Sequence, residues 1–390
     1  MASAAVGALA LKLFSPRRAA KPLPSPERII VIGYGAIGDT IFFLPVLEGL
    51  RRAFPRARVT WAANPAPALG ELIPATGLVD EIWPIDLDEA SHAAANARIA
   101  AGRFDWAVLS QSSPVDYFQS GLATVPVRAG HTTELSGGLA RRLKRALVTG
   151  ELSRRVLLNR SARISSGSEH AVSRNLGLLS ALGVPAPEGR PRLPLSDAQR
   201  AFAARAVAEC DPSRRRLAVH LGVVPGQYHK FWDPEKFGRL LDLAVRRFGV
   251  ELIAVGAAGE APSLDAARRA CPSLRSCVGQ ADLLETFSVI AACDGFIGND
   301  TGLAKAAMAL GVPTAQIWGP TDPRELGAFW EPEKHVDVCT GIECHPCVRL
   351  GMPKGSYNYL TCGHHDCLGR LEADFAFSRL TPWLGARTKS

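Results

Sequence analysis

The chain has 390 residues, 47% of them hydrophobic and 21% charged, which is typical of a globular protein of two or more domains. It has no run of about 20 apolar residues free of charge, so no segment is predicted to span a bilayer. The formal net charge of +8 suits contact with anionic lipid or phosphorylated substrates. The basic runs lack interleaved aromatic residues, and neither a helix-turn-helix nor an RNA-recognition signature occurs, so nucleic acid is not a predicted partner.

The first 26 residues, MASAAVGALALKLFSPRRAAKPLPSP, are apolar and then basic, the reverse of the order in a secretory signal. They are compatible with a disordered tail or with a short amphipathic segment that touches a membrane. Because no secretory signal precedes the chain's body, a reducing, cytoplasmic location is expected, where disulfides are not the default for its nine cysteines.

From residue 27 onward, short apolar runs alternate with longer amphipathic ones. This alternation predicts a parallel sheet with helices on both faces. The stretch 131–165 is polar and basic and allows no assignment. The predicted helices are 38–54 and 170–184, and the predicted strands are 28–33, 58–63, 81–85, 106–111 and 125–130.

A stretch rich in proline and glycine, 185–196, is typical of an interdomain linker, and the same alternation restarts beyond it. The second half therefore predicts another parallel sheet with its own helices. The predicted strands are 216–222, 250–256, 294–300 and 313–320, and the predicted helices are 234–249, 283–293 and 302–310.

Together the two halves predict an α/β protein with two Rossmann-like domains whose parallel sheets face a central cleft. Ligands of such sheets bind beyond the carboxyl ends of the strands. The predicted organisation is an N-terminal tail 1–26, a first domain 27–190, a second domain 191–370, and a C-terminal segment 371–390 that could pack back on the first domain.

The stretch VIGYGAIGD, residues 31–39, contains the spacing G-x-G-x-x-G of dinucleotide-binding proteins. Such proteins also need an acid at the end of the second strand to hold a ribose, and the sequence TWAANPAPA at 60–68 has none. A dehydrogenase is therefore not favoured. Gly35 and Gly38 still allow a tight turn that brings backbone close to a ligand. Asp39 is either an ordinary acid at a helix start or a general base facing the cleft.

Two motifs of the second half place polar groups at strand ends. In GNDTGLAKAAMALGVPTAQIWGPTDP, residues 298–323, an Asp-Thr-Gly sequence opens a helix, and free amides at a helix start suit a diphosphate. In PGQYHKFWDPEKF, residues 225–237, Lys230 lies in a loop before a helix. A loop lysine is usually only solvated, but at a strand end of the same domain it could reach a phosphate.

These motifs, in this order, resemble glycosyltransferase family 9, the heptosyltransferase family of Gram-negative lipopolysaccharide assembly. The matching stretches are GYGAIGDTIFFLPVLEGLRRAFP, KFWDPEKF, GND-TG-L and WGPTDP, and the resemblance covers roughly residues 27–370. It implies a GT-B fold of two Rossmann-like domains, a nucleotide-sugar donor held mainly by the second domain, and an inverting transfer that needs no metal or other cofactor.

The resemblance also implies roles for single residues. Asp39 resembles the catalytic base, Lys230 the cation on the donor phosphates, and Glu260 the acid that holds the donor ribose. Lys305 stands where many members carry His, which alters reach and hydrogen bonding near the phosphates. The residues that resemble the diphosphate-binding turn are Asp300, Thr301, Gly302 and Leu303.

The function implied is transfer of a sugar, heptose from ADP-heptose being favoured, onto a lipopolysaccharide-core or related glycolipid acceptor. The implied location is the cytoplasm, peripheral to the inner face of the cytoplasmic membrane. The alternatives are a sugar-nucleotide epimerase of the same architecture and a non-catalytic nucleotide-sugar-binding relative. Asp39 lacks an evident acid–base partner for an epimerase, and the presence of Asp39 and Lys230 argues against lost catalysis.

Five of the nine cysteines lie between Cys339 and Cys367. Two pairs, C-x2-C and C-x4-C, are separated by fourteen residues, a spacing that could form a closed tetrahedral structural zinc site. His364 and His365 are possible substitutes as ligands. The alternative is a set of ordinary thiols in a loop. The four candidate ligands are Cys344, Cys347, Cys362 and Cys367.

Overall fold

The structure is a computed structural model. It describes residues 23–33, 35–66, 68–85, 89–110, 118–133, 151–164, 169–223, 227–349 and 362–386. The predicted N-terminal tail as far as residue 22 and residues 350–361 of the cysteine-rich loop lie outside the described residues. Among the helices of the described part, none combines the length and apolar character needed to cross a membrane.

The described residues divide into two compact units. One draws its residues from the ranges Met1–Gly35, Phe43–Pro65 and Gly77–Glu188. The other draws its residues from Ala36–Phe42, Ala66–Thr76 and Gly189–Ser390. The segment that carries Asp39 is therefore grouped by its contacts with the second unit, although the helix that it begins continues into the first.

The first unit contains a six-stranded parallel sheet in the order β3-β2-β1-β4-β5-β6. The central strands β1, β2 and β4 are almost wholly buried because helices cover both faces of the sheet. The strands are β1 (Arg28–Gly33), β2 (Arg58–Ala63), β3 (Glu81–Pro84), β4 (Trp106–Leu109), β5 (Val127–Thr133) and β6 (Arg160–Ile164).

Helices connect these strands in the manner of crossover units. Apolar side chains such as Ile99, Phe104 and Leu122 pack against the sheet in one continuous core. The helices are α1 (Ile37–Ala53), α2 (Ile73–Thr76), α3 (Glu89–Ala101), α4 (Gln119–Ala123), α5 (Glu151–Leu157) and α6 (Ala171–Leu182). A π-helical turn, Ala68–Leu72, precedes α2, and both are grouped by their contacts with the second unit.

The second unit contains another six-stranded parallel sheet, in the order β12-β11-β10-β7-β8-β9. Its strands are β7 (Arg216–His220), β8 (Glu251–Ala254), β9 (Arg275–Ser276), β10 (Gly295–Asn299), β11 (Thr314–Ile317) and β12 (Val336–Val338). Its helices are α7 (Asp197–Ala206), α8 (Pro234–Phe248), α9 (Ala261–Ala270), α10 (Leu283–Ala291), α11 (Gly302–Ala309), α12 (Pro323–Leu326), α13 (Asp366–Gly369) and α14 (Ala373–Gly385).

Read from its first strand, each sheet has the strand order 3-2-1-4-5-6 of the Rossmann fold. The predicted α/β class with two Rossmann-like parallel sheets is therefore confirmed. The described part of the predicted C-terminal segment forms α14, whose Leu380 and Trp383 belong to the core of the second unit. As domain limits, residues 190 and 370 stay predictions.

The loop before α8 is held in place by a helix cap and by a buried tryptophan. Asp233 caps α8 by accepting hydrogen bonds from the amides of Glu235 and Lys236, and Pro234 takes the first helical position, where its missing N–H costs nothing. Trp232 is fully buried, and its indole donates a 3.0 Å hydrogen bond to the carbonyl of Leu371. The short 3-10 turn Tyr228–Lys230 is thereby anchored on its C-terminal side.

Candidate active site

A buried carboxylate lies at the carboxyl end of β10, where Asp300 follows the strand with a relative exposure of 2%. Its Oδ2 accepts hydrogen bonds from Lys230 Nζ and from Thr321 Oγ1, both at 2.8 Å. Its Oδ1 lies 2.7 Å from Lys305 Nζ. Burial by itself raises the pKa of Asp300, but the two lysines outweigh it and hold that pKa well below its usual range. Asp300 therefore stays charged.

Lys305, the fourth residue of α11, is the second lysine in contact with this carboxylate. Its ammonium donates to Gln316 Oε1 at 2.8 Å and lies 4.5 Å from the centre of the Trp318 ring. Burial lowers the pKa of Lys305, and Asp300 partly opposes that effect. These contacts direct the ammonium toward protein atoms. Contact of Lys305 with donor phosphates stays a prediction.

Lys230 is the more accessible of the two cations. Its side chain is 16% exposed, compared with 5% for Lys305. It comes from the turn that Trp232 anchors, so its direction is set by the loop before α8. An accessible ammonium bound to a carboxylate can exchange part of that contact for an incoming phosphate.

A second polar cluster lies one strand away. His220, the last residue of β7, is 4% exposed, and its Nδ1 lies 3.1 Å from Thr301 Oγ1. Its Nε2 lies 3.3 Å from Oε1 and 3.1 Å from Oε2 of Glu260. A Cβ atom at Gly222 or Gly256 would collide with the Glu260 carboxyl group, so glycine is required at both positions if this carboxylate is to sit here.

Sequence reasoning missed His220. Its neighbours in the sequence are apolar, and its partners lie 40 and 81 positions away along the chain. The available signal was its position, because it ends a buried strand at the edge where a Rossmann sheet binds ligands.

Asp39 lies in the first turn of α1 and is exposed. Desolvation by the surrounding protein raises the pKa of its carboxyl group, Lys230 lowers it and Asp300 raises it, with a net upward shift. The start of α1 approaches the start of α11 closely, since a Cβ on Gly302 would come within 2.7 Å of the Ile37 side chain. The structure thus brings Asp39, Lys230 and Asp300 within electrostatic range of one another.

Two of the remaining predicted residues, Gly38 and Leu303, lie in the second unit. A Cβ on Gly38 would lie 3.3 Å from Lys305 Cγ, and Leu303 is buried in α11 with 7% exposure. In the first unit, Gly35 donates its backbone N–H to Asn64 Oδ1 at 3.0 Å.

The four predicted zinc ligands range from buried to exposed. Cys367 is buried and Cys344 exposed, with Cys347 and Cys362 between these limits. Burial, with a smaller contribution from the neighbouring thiols, raises the pKa of Cys367 to about 11. Within the ranges that the structure describes, no three Cys, His, Asp or Glu side chains form a metal-binding group. The zinc site stays a prediction.

Two Rossmann-type parallel sheets, one of them carrying cations, carboxylates and a helix start at its strand ends, define an α/β protein of the GT-B class. The profile described as "Glycosyltransferase family 9 (heptosyltransferase)" matches residues 135–358, more than half of the chain. The chain therefore belongs to glycosyltransferase family 9 and is a glycosyltransferase.

One curated relative and two solved structures are similar to this chain. Lipopolysaccharide heptosyltransferase 1 of Pseudomonas aeruginosa is 26% identical over 341 residues, which cover 83% of this chain and 86% of the relative. The solved glycosyl transferase family 9 protein of Veillonella parvula has a TM-score of 0.72 at 17% identity, covering 94% of this chain and all of that one. The solved E. coli ADP-heptose lps heptosyltransferase II has a TM-score of 0.65 at 19% identity, covering 93% and 100%.

Proposed function

We propose that the protein transfers heptose from ADP-heptose to a lipopolysaccharide-core or related glycolipid acceptor, with inversion at the sugar carbon and without a metal. The observation that carries the proposal is the grouping of Asp39, Lys230 and Asp300. It provides one accessible carboxylate with a raised pKa beside one accessible cation. The named functions of the Pseudomonas and E. coli relatives support the choice of sugar and acceptor.

Asp39 is the proposed general base. Its carboxylate takes the proton of an acceptor hydroxyl as that oxygen forms a bond to the anomeric carbon of the donor sugar. The bond from this carbon to the diphosphate oxygen breaks, and ADP leaves with the electron pair. Attack from the face opposite the leaving group inverts the configuration. The raised pKa of Asp39 makes it a better proton acceptor than an ordinary aspartate.

Lys230 and the start of α11 are the proposed diphosphate site. Negative charge grows on the diphosphate as the bond breaks, so a cation and preorganised amides stabilise the transition state. Thr301, Gly302 and Leu303 provide the amides, and the helix dipole adds to their effect. Asp300 holds Lys230 in place through its Oδ2, and Lys305 balances the charge of Asp300 through a contact with its Oδ1.

Glu260 is the proposed ligand of the donor ribose. Its carboxylate only accepts hydrogen bonds when ionised, which suits two vicinal hydroxyl groups. This contact does not select the base, so the preference for adenine is supported by the E. coli relative's name.

We further propose that the protein works in the cytoplasm at the inner face of the membrane, where its acceptor would be presented. The formal net charge of +8 supports attraction to anionic lipid. The first domain, 27–190, is the proposed acceptor domain, and 191–370 is the proposed donor domain.

The decisive experiment mixes the purified protein with ADP-heptose and a heptose-free core glycolipid, in buffer with and without EDTA. We expect ADP release and a new glycoside whose anomeric configuration, measured by NMR, is inverted, with equal rates in both buffers. Isomerised donor without ADP release would indicate an epimerase, and binding without any product would indicate a non-catalytic relative.

A structural zinc at Cys344, Cys347, Cys362 and Cys367 is a separate proposal, supported by their spacing in the sequence. No step of the transfer depends on it. Elemental analysis of protein purified without chelator would test it, since about one zinc per chain is expected of a closed site.

A further inference from the structure

The imidazole of His220 joins two side chains that the proposed donor site uses for different parts of the donor. One ring nitrogen faces Thr301, at the diphosphate-binding turn, and the other faces the carboxylate of Glu260. The ring is 4% exposed, so it acts from within the protein.

Thr301 is the N-cap of α11, but its side chain does not behave as a usual cap. A threonine there normally accepts a hydrogen bond from an amide of the first helical turn. Among the described residues, the Thr301 side chain makes no capping hydrogen bond, whereas Ser196 and Asp282 cap α7 and α10 in the usual way. The hydroxyl of Thr301 lies against His220 instead.

This arrangement matters because the first amides of an α-helix have no partner within the helix. A capping hydroxyl would satisfy one of them and would compete with a phosphate. By holding the hydroxyl, His220 leaves these amides of α11 to an anionic ligand.

The direction of the hydrogen bonds follows from the partners. An ionised carboxylate only accepts, so Nε2 carries the hydrogen and donates to Glu260. In the neutral imidazole Nδ1 then accepts, and Thr301 donates its hydroxyl hydrogen. One ring therefore orients both groups.

We propose that His220 is a positioning residue of the donor site. It orients Glu260 toward the donor ribose and keeps the Thr301 hydroxyl away from the amides that bind the diphosphate. The inference rests on the proposed function, and His220 acts through Glu260 and Thr301.

Two substitutions separate the two halves of this role. His220→Asn places an amide near the position of Nδ1, so it keeps the contact with Thr301 and loses that with Glu260. His220→Gln places its amide near Nε2 and has the opposite effect. Calorimetry on wild type and both variants would measure the Kd of ADP, AMP and 2′,3′-dideoxy-ADP.

Each pair of ligands isolates one contact. The ratio of Kd for dideoxy-ADP to Kd for ADP measures the ribose contact, and the ratio for AMP to ADP measures the diphosphate contact. We expect His220→Asn to lower the first ratio by about 3- to 10-fold and to preserve the second. We expect His220→Gln to lower the second by about 3- to 10-fold and to preserve the first.

A double-variant experiment isolates the Thr301 hydroxyl. In a Thr301→Val protein no hydroxyl can turn back to the helix, so adding His220→Gln should leave the ratio for AMP to ADP unchanged. Melting temperatures without ligand show which variants are folded. If only one single variant folds, its two Kd ratios still test the contact that it removes.

The outcomes distinguish this inference from the proposed function. If wild type binds ADP but the variants keep both ratios, or lose both together, the positioning role is wrong and the proposed function stands. If wild type binds neither ADP nor ADP-heptose, the proposed function fails and the inference fails with it.

Discussion

The two sheets have the same strand order but very different carboxyl ends. In the first unit, β1, β2 and β4 end at Gly33, Ala63 and Leu109, small or apolar residues. In the second unit, β7 ends at His220 and β10 ends at Asn299, which Asp300 follows, and all three are buried and polar. Identical topology therefore does not make identical sites, because the function depends on the side chains that the strand ends carry.

The second sheet also has a buried charged residue at a strand end, together with side chains that compensate its charge. At the end of β10, Asp300 is surrounded by Lys230, Lys305 and Thr321, so a buried charge has partners on several sides. Buried charges without such partners would cost several kcal/mol, on the order of 3–5 when one partner is removed. The second sheet thus carries buried charge at its strand ends, which serves either the proposed donor site or the stability of the fold.

The largest expected effect is that of Asp39→Asn. If Asp39 is the base, turnover should fall by about 10²–10⁴, because proton removal from the acceptor is lost. ADP affinity should be unchanged. The melting temperature should be equal or slightly higher, since desolvation by the surrounding protein disfavours the charged form of this carboxyl group. Stopped assays of ADP release, calorimetry and thermal melts would measure these three quantities.

The matched control is Asp197→Asn, which changes another acid in the first turn of a helix, at an exposed position. It should leave turnover at the wild-type value. Wild-type turnover in a well-folded Asp39→Asn protein would show that Asp39 only supports the start of α1.

The second effect concerns stability. Lys305→Met removes one partner of the buried Asp300 and leaves Gln316 without its ammonium donor. We expect the free energy of unfolding to fall by about 3 kcal/mol in denaturant titrations. Lys334→Met, which breaks a half-exposed pair with Glu331, should cost less than about 1 kcal/mol. Equal losses in the two variants would contradict the structural importance assigned to Lys305.

The third effect concerns the accessible cation. Lys230→Ala should weaken ADP binding by about 1.5–3 kcal/mol, because a charge-assisted contact with phosphate is lost. Calorimetry would measure it, with Lys236→Ala as the control in the same unit, where the lysine pairs with Glu372 at the surface. Unchanged affinity in Lys230→Ala would mean that the lysine serves only Asp300.

Much of the fold could be predicted because its central strands are continuous apolar runs. The segments RIIVIG and RVTWAA at β1 and β2 are buried on both faces, as such runs indicate. The strands that sequence analysis missed are β6, β9 and β12, which lie toward the sheet edges and have only two to five residues. Short edge strands are half covered, so their sequence lacks a strong apolar signal.

The extent of β5 was also mispredicted. Sequence analysis placed a strand at 125–130, and the structure continues it through Thr133. The added residues His131 and Thr132 are polar yet buried. Burial of His131 is tolerated because its Nε2 lies 2.8 Å from the carbonyl oxygen of Arg174, within hydrogen-bond distance. This partner is 43 positions away along the chain, so local sequence patterns do not reveal it.

Among the candidate site residues, those in short ordered motifs could be proposed from the sequence, whereas His220, which lies in an apolar strand and has distant partners, could not. Asp39, Lys230 and Asp300 each stand in a recognisable turn, and their order along the chain carried the resemblance. The inward contacts of Lys305 with Gln316 and Trp318 depend on a neighbouring strand, so sequence alone suggested a phosphate contact and missed its pairing partners.

The smallest expected effect is a shift in the pH dependence of turnover, caused by the electrostatic coupling of Asp39 to Lys230. Asp39 must be ionised to act as a base, so turnover should fall as pH drops through its pKa, which lies above the usual range of aspartate. Lys230 lowers this pKa. Its replacement by Met should therefore move the acidic limb of the turnover profile, measured at saturating donor, to higher pH. Lys236→Met should leave the limb in place, because its ammonium contacts Gly369 and Glu372. A limb that moves to lower pH, or does not move, in Lys230→Met would contradict the electrostatic coupling of Asp39 to the cation.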